Sequence, residues 1–294
     1  MASSINPPGR DQFGTYIRQS RFTEEELAML HKEEQMMTAV LGGVLPEQPD
    51  TAGFKSVLDV GCGTGQWLIE VAQSHPETAH LVGVDINPQV VAYAQAQAVA
   101  QQVADRVQFL VMDAQGFLDL PPDTFDLINL RFGTSFLRSW DWNRLLHDFR
   151  RIARPNGVIR LIEADIMESN SSAQMQQADQ LLQAFHRSGH AFTSQRDGMT
   201  SGLIPLLQQH GFKKVQTADF ILHYRKESME EQFLSTYLIT HAFRSFQAFK
   251  QKWNPQPDDE VLTRQVLQDM ERPDFEATWR FLTIWANNPP EKPI

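Results

Sequence analysis

Between residues 56 and 166 short apolar runs alternate with segments of helical spacing, and few folds accept that order. The runs are SVLDVG, HLVGVDIN, RVQFLVMDA, FDLINLRF and VIRLIEADI. Among them lie QWLIEVAQSHP, the Ala/Gln-rich PQVVAYAQAQAVAQQV with Pro88 near its start, and DWNRLLHDFRRIARPNG, a helix expected to end at Pro-Asn-Gly. Such alternation predicts an α/β fold, a parallel sheet covered by helices on both faces. The runs show little polar alternation, as strands buried on both sides require.

The flanks read differently. Residues 1–50 predict an N-terminal helical cap, because TEEELAMLHKEEQMMTAVLGG opens on a Thr N-cap followed by acidic residues and closes on glycines. After residue 166 the alternation lapses. Residues 166–198 and 227–272 predict helical insertions, KKVQTADFILHY a strand between them, and FEATWRFLTIWANN a last strand. The expected organisation is a cap over 1–50 and one α/β domain over 51–294.

Composition narrows the function. Forty-one per cent hydrophobic residues in a chain of 294 supply an ample core. No stretch approaches the roughly 18 unbroken apolar residues of a membrane helix. The start, MASSINPPGRDQFG, lacks the basic and apolar regions of a signal peptide, so a cytoplasmic protein without membrane contact is expected. The net charge of −10 repels a phosphate backbone, which argues against nucleic acid as partner. The densest basic cluster, HDFRRIARPNG, suits a helix C-terminus. Cys62 is the sole cysteine, so neither an internal disulfide nor a cysteine metal site is expected. Flanked by glycines, it reads as a small residue filling a tight turn. A homodimer is left open.

The chemistry concentrates in VLDVGCGTGQW, residues 57–67, where Gly61, Gly63 and Gly65 follow a strand. No Lys-Ser/Thr pair completes a Walker loop. The dinucleotide fingerprint G-x-G-x-x-G fails at its third glycine, which would fall on Gln66. The next strand nevertheless ends in Asp85, twenty residues beyond Gly65, where a carboxylate can accept from both ribose hydroxyls. The pattern asks for a nucleoside on a loop not laid out for pyrophosphate.

VLDVGCGTG, GVDIN, VMDAQGFLDLPPDTFDLI and FRRIARPNGVIRLIE, taken in order, resemble successive signatures of the class I S-adenosylmethionine-dependent methyltransferases. Their spacing is similar to the small-molecule branch that includes ubiquinone- and menaquinone-biosynthesis enzymes. The resemblance implies a Rossmann-like seven-stranded, mostly parallel sheet with an antiparallel last strand, S-adenosylmethionine as cofactor and S-adenosylhomocysteine as product. It assigns the methionyl end to the backbone of Gly61, Gly63 and Gly65, and the methionyl ammonium to Asp59. Asp85, with Ile86 beside it, would take the ribose and Asp113 the adenine amino group, with Ala114 and Gln115 beside the ring. Asn129 and Arg131 would line the sulfonium or the substrate mouth, and Tyr16 would close over the cofactor. Asp85 and Asp113 also suit strand-to-helix caps, and Asn129 a turn.

The acceptor half is less determined. Methyl transfer is an in-line displacement, and an oxygen acceptor benefits from a base where an amine needs only a lone pair. His190 and His241, in segments expected to cover the site, are the candidate bases. FLSTYLITHAFRSFQAFKQKW and RFGTSFLRSWDW are rich in aromatic residues, which core packing explains but which also suit a lid for a hydrophobic or aromatic acceptor. Methylation of a small molecule at oxygen is the favoured reading, with nitrogen or carbon next. The alternatives are a cofactor-binding cyclase or isomerase, a nicotinamide oxidoreductase, and a protein or RNA acceptor.

Overall fold

A computed structural model describes residues 22–165, 168–187, 189, 191–193, 198, 200–224 and 259–290. Its elements are α1 (Glu24–Val40), β1 (Ser56–Val60), α2 (Gln66–Ser74), β2 (His80–Asp85), α3 (Pro88–Ala100), β3 (Val107–Val111) and β4 (Phe125–Arg131). A 3-10 turn at Gly133–Ser135 precedes α4 (Asp141–Ile152), β5 (Ala153–Ala164), α5 (Ala173–Arg187), α6 (Leu203–Gln209), β6 (Lys213–Tyr224), α7 (Asp259–Met270) and β7 (Ala277–Asn287).

The strands form one sheet in the order β3-β2-β1-β4-β5-β7-β6. The first five are mutually parallel and β7 is antiparallel to both neighbours, as the resemblance implied. Chain order reverses between β1 and β4. In open α/β sheets ligands bind outside the carboxyl ends of the strands at such a switch point.

Both faces are covered. Leu58, Val60 and Leu130 pack with Trp142, Leu145 and Phe149 of α4 and with Leu203 of α6. On the other face Val57, Leu81 and Leu127 meet Trp67 and Leu68 of α2 and Ala94 of α3. Met37 of α1 and Leu41 just after it pack on Ile162 of β5 and Phe281 of β7, so the N-terminal helix covers part of the sheet.

Local signals explain the element ends. Thr23 and Glu26 form a reciprocal capping box at the start of α1. Gly42 and Gly43 end it at positive φ, donating to Ala39 and Thr38 carbonyls. Asn87 caps α3 with Pro88 in its first turn. The α4 boundary differs from expectation: the helix stops at Ile152 and ARPNG already belongs to β5. Pro155 disfavours helical geometry at Arg154, and Asn156 turns through φ 64°. Within the spans expected as insertions the described residues include the helices α5 and α7, whose Met175 and Val266 pack with Tyr224 of β6.

Candidate active site

Strand register builds the centre. Asp59 on β1 stands beside Asn129 on β4, and Asn129 beside Arg160 on β5. The side chains join along that row. Asn129 Nδ2 donates to Asp59 Oδ1 at 2.7 Å, and Arg160 donates to Asn129 Oδ1 at 2.9 Å. Arg160 also clasps Glu47, through Nε at 2.7 Å and an Nη at 3.1 Å. Arginine has no acceptor, so Asn129 can face only one way, with its amide donating to Asp59. Asp59 Oδ2 is buried and has no hydrogen-bond partner among the described residues. A buried carboxylate oxygen is costly unless a donor reaches it, so this atom can still accept a hydrogen bond.

The glycine loop follows directly. Gly61, Gly63 and Gly65 all have positive φ, at 68°, 56° and 78°. What occupies the missing side-chain space differs at each. At Gly61 a Cβ would meet the Phe136 ring at 3.1 Å, at Gly63 the Glu34 carboxylate at 2.2 Å, and at Gly65 the Phe109 ring at 2.4 Å. Gly65 thus faces the packing of β3 and α3, whereas Gly61 and Gly63 border groups of the site. Asp85 lies under the loop, accepting from Gly63 N at 3.2 Å and Asn87 N at 2.9 Å, with the Ile86 amide also near. Burial pushes its pKa up against those amides. The Cys62 thiol is buried and pushed well above its ordinary value by burial, then by Asp85, Asp59 and Glu34. It is space-filling and protonated, not nucleophilic.

Helix α1 adds residues that the motifs did not disclose. Glu34 accepts from Thr64 N at 2.7 Å and Gln66 N at 3.2 Å. One turn earlier His31 Nδ1 meets the Thr64 hydroxyl at 3.1 Å, and one turn later Thr38 accepts from Arg131 at 3.3 Å. Positions 31, 34 and 38 share one helical face, a polar stripe that was readable as such but carried no sign of what it would meet. Arg131 lies 5.9 Å from the Trp67 ring centroid, as does Arg160.

The candidate adenine loop is held from behind. Exposed Asp113 accepts from Gln115 N at 2.8 Å, and Ala114 is buried. Gln115 Nε2 donates to the Phe136 carbonyl, which ties this loop to the one over Gly61. Arg144 donates to the Ala114 and Gly116 carbonyls, and Arg151 to those of Leu118 and Leu120. Arg150 bonds Asn288 and Arg154 pairs with Asp126, so the basic cluster noted in the sequence is used within the fold.

Beyond β4 the backbone is strained. Phe132 adopts φ 55° and ψ 36°, an uncommon conformation for an aromatic residue and one that clusters at functional sites. Its ring meets Phe281 at 6.3 Å, and Phe281 in turn packs on Trp279 at 4.7 Å and Phe220 at 6.3 Å. Buried Glu163 anchors the turn that follows, accepting from the Thr134 hydroxyl at 2.6 Å and from its amide. Tyr16, His190 and His241 lie outside the described residues, as does the side chain of His186. Among the described residues no cluster could hold a metal ion, and no helix is long and apolar enough to cross a membrane.

Burial desolvates three carboxyls here, holding Glu34 and Glu163 at about 7 and Asp59 at about 6; Arg131 opposes this at Glu34 and Asp59. Unfolded carboxyls titrate near 4, so in the interval above that the native protein keeps protons that the unfolded chain has lost. Their contribution to stability is full below about pH 4 and disappears as pH rises through 6 to 7. His31 and His210, held low by burial, act in the opposite sense as pH falls through about 6.5. The melting temperature is therefore expected to rise as pH falls from 8 towards 6.5, and Glu163→Gln to flatten that rise. Thermal unfolding of both proteins across that range checks it.

Known proteins are similar to this chain in sequence and in fold. Residues 57–157 match a family model described as a methyltransferase domain. The chain is 29% identical to methyltransferase pytC of Aspergillus terreus over 142 residues, 48% of this chain and 39% of that protein. It is 33% identical to the demethylmenaquinone methyltransferase of Lactiplantibacillus plantarum over 107 residues, 36% of this chain and 44% of the other. The matches thus span less than half the length of these relatives. The fold also matches Haemonchus contortus phosphoethanolamine N-methyltransferase 2, solved with S-adenosyl-L-methionine, with a TM-score of 0.57 at 17% identity. That alignment covers 97% of this chain and 61% of the other.

Proposed function

We propose that the chain, which matches a methyltransferase-domain model over residues 57–157, is a class I S-adenosylmethionine-dependent methyltransferase, and that it methylates a small molecule with an apolar or aromatic body. The observation that carries the cofactor half is Asp59 Oδ2, a buried oxygen without a partner among the described residues, beside a glycine loop at the switch point. An ammonium is the donor such an oxygen lacks, and the methionyl tail has one.

The residues present fit the group. Asp59 would hold the ammonium, and Asp85 would turn its remaining lone pairs to the ribose. Asp113, Ala114 and Gln115 would border the adenine, and Gly61 and Gly63 let the backbone approach closely. S-adenosylmethionine supplies a methyl already activated by a sulfonium, so the protein's task is alignment and exclusion of water. Phe132, Phe220 and Trp279 are partly buried around the core residue Phe281 near the end of β4, an aromatic cluster that would suit an acceptor with a hydrophobic or planar body. A hydroxyl is the proposed methyl acceptor. An oxygen acceptor would draw on a base, whereas an amine needs none, and burial pushes the Glu34 and Glu163 carboxyls up to about 7, in the range such a base would need.

Mass spectrometry of the protein incubated with S-adenosylmethionine and a small-molecule extract tests this reading. Formation of S-adenosylhomocysteine is expected together with a compound gaining one methylene unit, and both signals should fall at least about a hundredfold in Asp85→Ala, which loses a charge-assisted contact to each ribose hydroxyl. Cofactor bound but never demethylated would point to a reaction other than methyl transfer.

A further inference from the structure

The glycine loop already holds a carboxylate, and it comes from the protein. Glu34 of α1 spans the amides of Thr64 and Gln66, the last part of the loop and the first residue of α2. Backbone amides at a helix start are natural partners for an anion. Its Oε1 also stands 2.2 Å from the position of a Cβ on Gly63, within the space that the absent side chain leaves open. Although Glu34 as a residue is only partly buried, its carboxylate is desolvated and lacks a salt-bridged cation among the described residues.

A cation stands nearby. The Arg131 guanidinium favours the ionised forms of both Glu34 and Asp59, yet among the described residues its side chain hydrogen-bonds only Thr38, and it has no carboxylate within ion-pair distance. The arrangement therefore contains two anion positions, the loop amides and Arg131, and one protein carboxylate that holds the first and feels the charge of the second. It also contains one unfilled place for a cation, at Asp59 Oδ2. A methionyl tail brings one ammonium and one carboxylate. With its ammonium on Asp59, its carboxylate falls to the loop amides or to Arg131, and two carboxylates cannot share the same pair of amides.

We propose that Glu34 is an internal competitor for the methionyl carboxylate: it yields the Thr64 and Gln66 amides when the cofactor binds and turns to Arg131. The assignment rests on the cofactor reading above. It makes cofactor affinity a property of the N-terminal helix as well as of the loop, because Glu34 moves with α1.

Calorimetric titration of the full chain with S-adenosylmethionine and with its decarboxylated analogue, which keeps the ammonium and lacks the carboxylate, tests the exchange. Glu34→Ala is expected to bind S-adenosylmethionine about tenfold more tightly, the scale of displacing one charged hydrogen-bonding group, and the analogue no more tightly. Glu34→Gln preserves shape and an acceptor for the loop, and should move the ratio of affinities the same way by a smaller factor. Weaker binding of both ligands by the variants would make Glu34 a ligand of the ammonium and overturn the exchange. Equal changes for the two ligands, or none, would leave it a structural cap and overturn the exchange alone. Failure of the wild-type chain to bind either ligand would overturn the cofactor reading and the exchange with it.

Discussion

Replacing Gly65 with alanine is expected to destabilise the protein by about 3 kcal/mol or more and to lower its melting temperature by roughly 10 °C. Two separate penalties combine. The residue has φ 78°, where a side chain costs on the order of 1 kcal/mol, and the new Cβ would lie 2.4 Å from the Phe109 ring and 3.0 Å from Ala94. Phe109 cannot retreat easily, since it is buried between the sheet and α3. Gly83 separates the penalties. It pairs with Phe109 across β2 and β3 and faces the same ring at 2.5 Å, with Cys62 Sγ at 2.9 Å, but it lacks a positive φ. Phe109→Leu should therefore restore a larger share of the stability lost in Gly83→Ala, where contact with Cys62 remains, than of that lost in Gly65→Ala, where the backbone cost remains as well. Chemical denaturation of the singles and doubles gives the coupling energies. Equal rescue at both positions would mean that the backbone conformation of Gly65 carries no cost.

That result bears on what a glycine motif can and cannot tell in advance. The loop was readable because three glycines behind an apolar run demand close approach of something. The sequence did not say that the approaching group would be a phenylalanine at one position and a glutamate at another. Phe109 and Glu34 are distant along the chain from the glycines they meet, and only the closed sheet brings them together. The parallel core of the sheet was readable for the opposite reason, because βαβ alternation is local and right-handed crossovers leave few ways to lay it out, whereas the antiparallel last strand was implied by the family resemblance alone. The end of α4 was misjudged because Pro-Asn-Gly looks like a terminator, whereas Pro155 acts on the residue before it and lets β5 begin at Ala153. His31, Glu34 and Thr38 were missed although their spacing was visible. A polar stripe on a helix usually faces solvent, and no local signal distinguishes one that faces a loop.

Arg160→Ala is expected to cost about 3–5 kcal/mol, because it leaves the Glu47 carboxylate buried without a cation and Asn129 Oδ1 without its donor. The two charged side chains are 1% and 5% exposed, too little for water to replace what is lost. Removing both charges is a different matter. Arg160→Met with Glu47→Leu replaces the pair with apolar groups of similar length, and buried ion pairs exchanged in this way often return to wild-type stability. Binding should not return with it. Without Arg160 nothing obliges Asn129 to turn its amide towards Asp59, and a flipped Asn129 would set an oxygen against Asp59 Oδ1 in place of a donor. Asp59 would then meet the methionyl ammonium unsupported, and cofactor affinity in the double variant should stay about tenfold below wild type, the worth of one hydrogen bond to a charged group. Denaturation and calorimetric titration of the same samples separate the two effects. Recovery of affinity together with stability would reduce the row from Glu47 to Asp59 to a structural clamp. Recovery of stability alone would mean that the arginine on β5 governs the ligand end of β1, two strands away, through the orientation of a single amide.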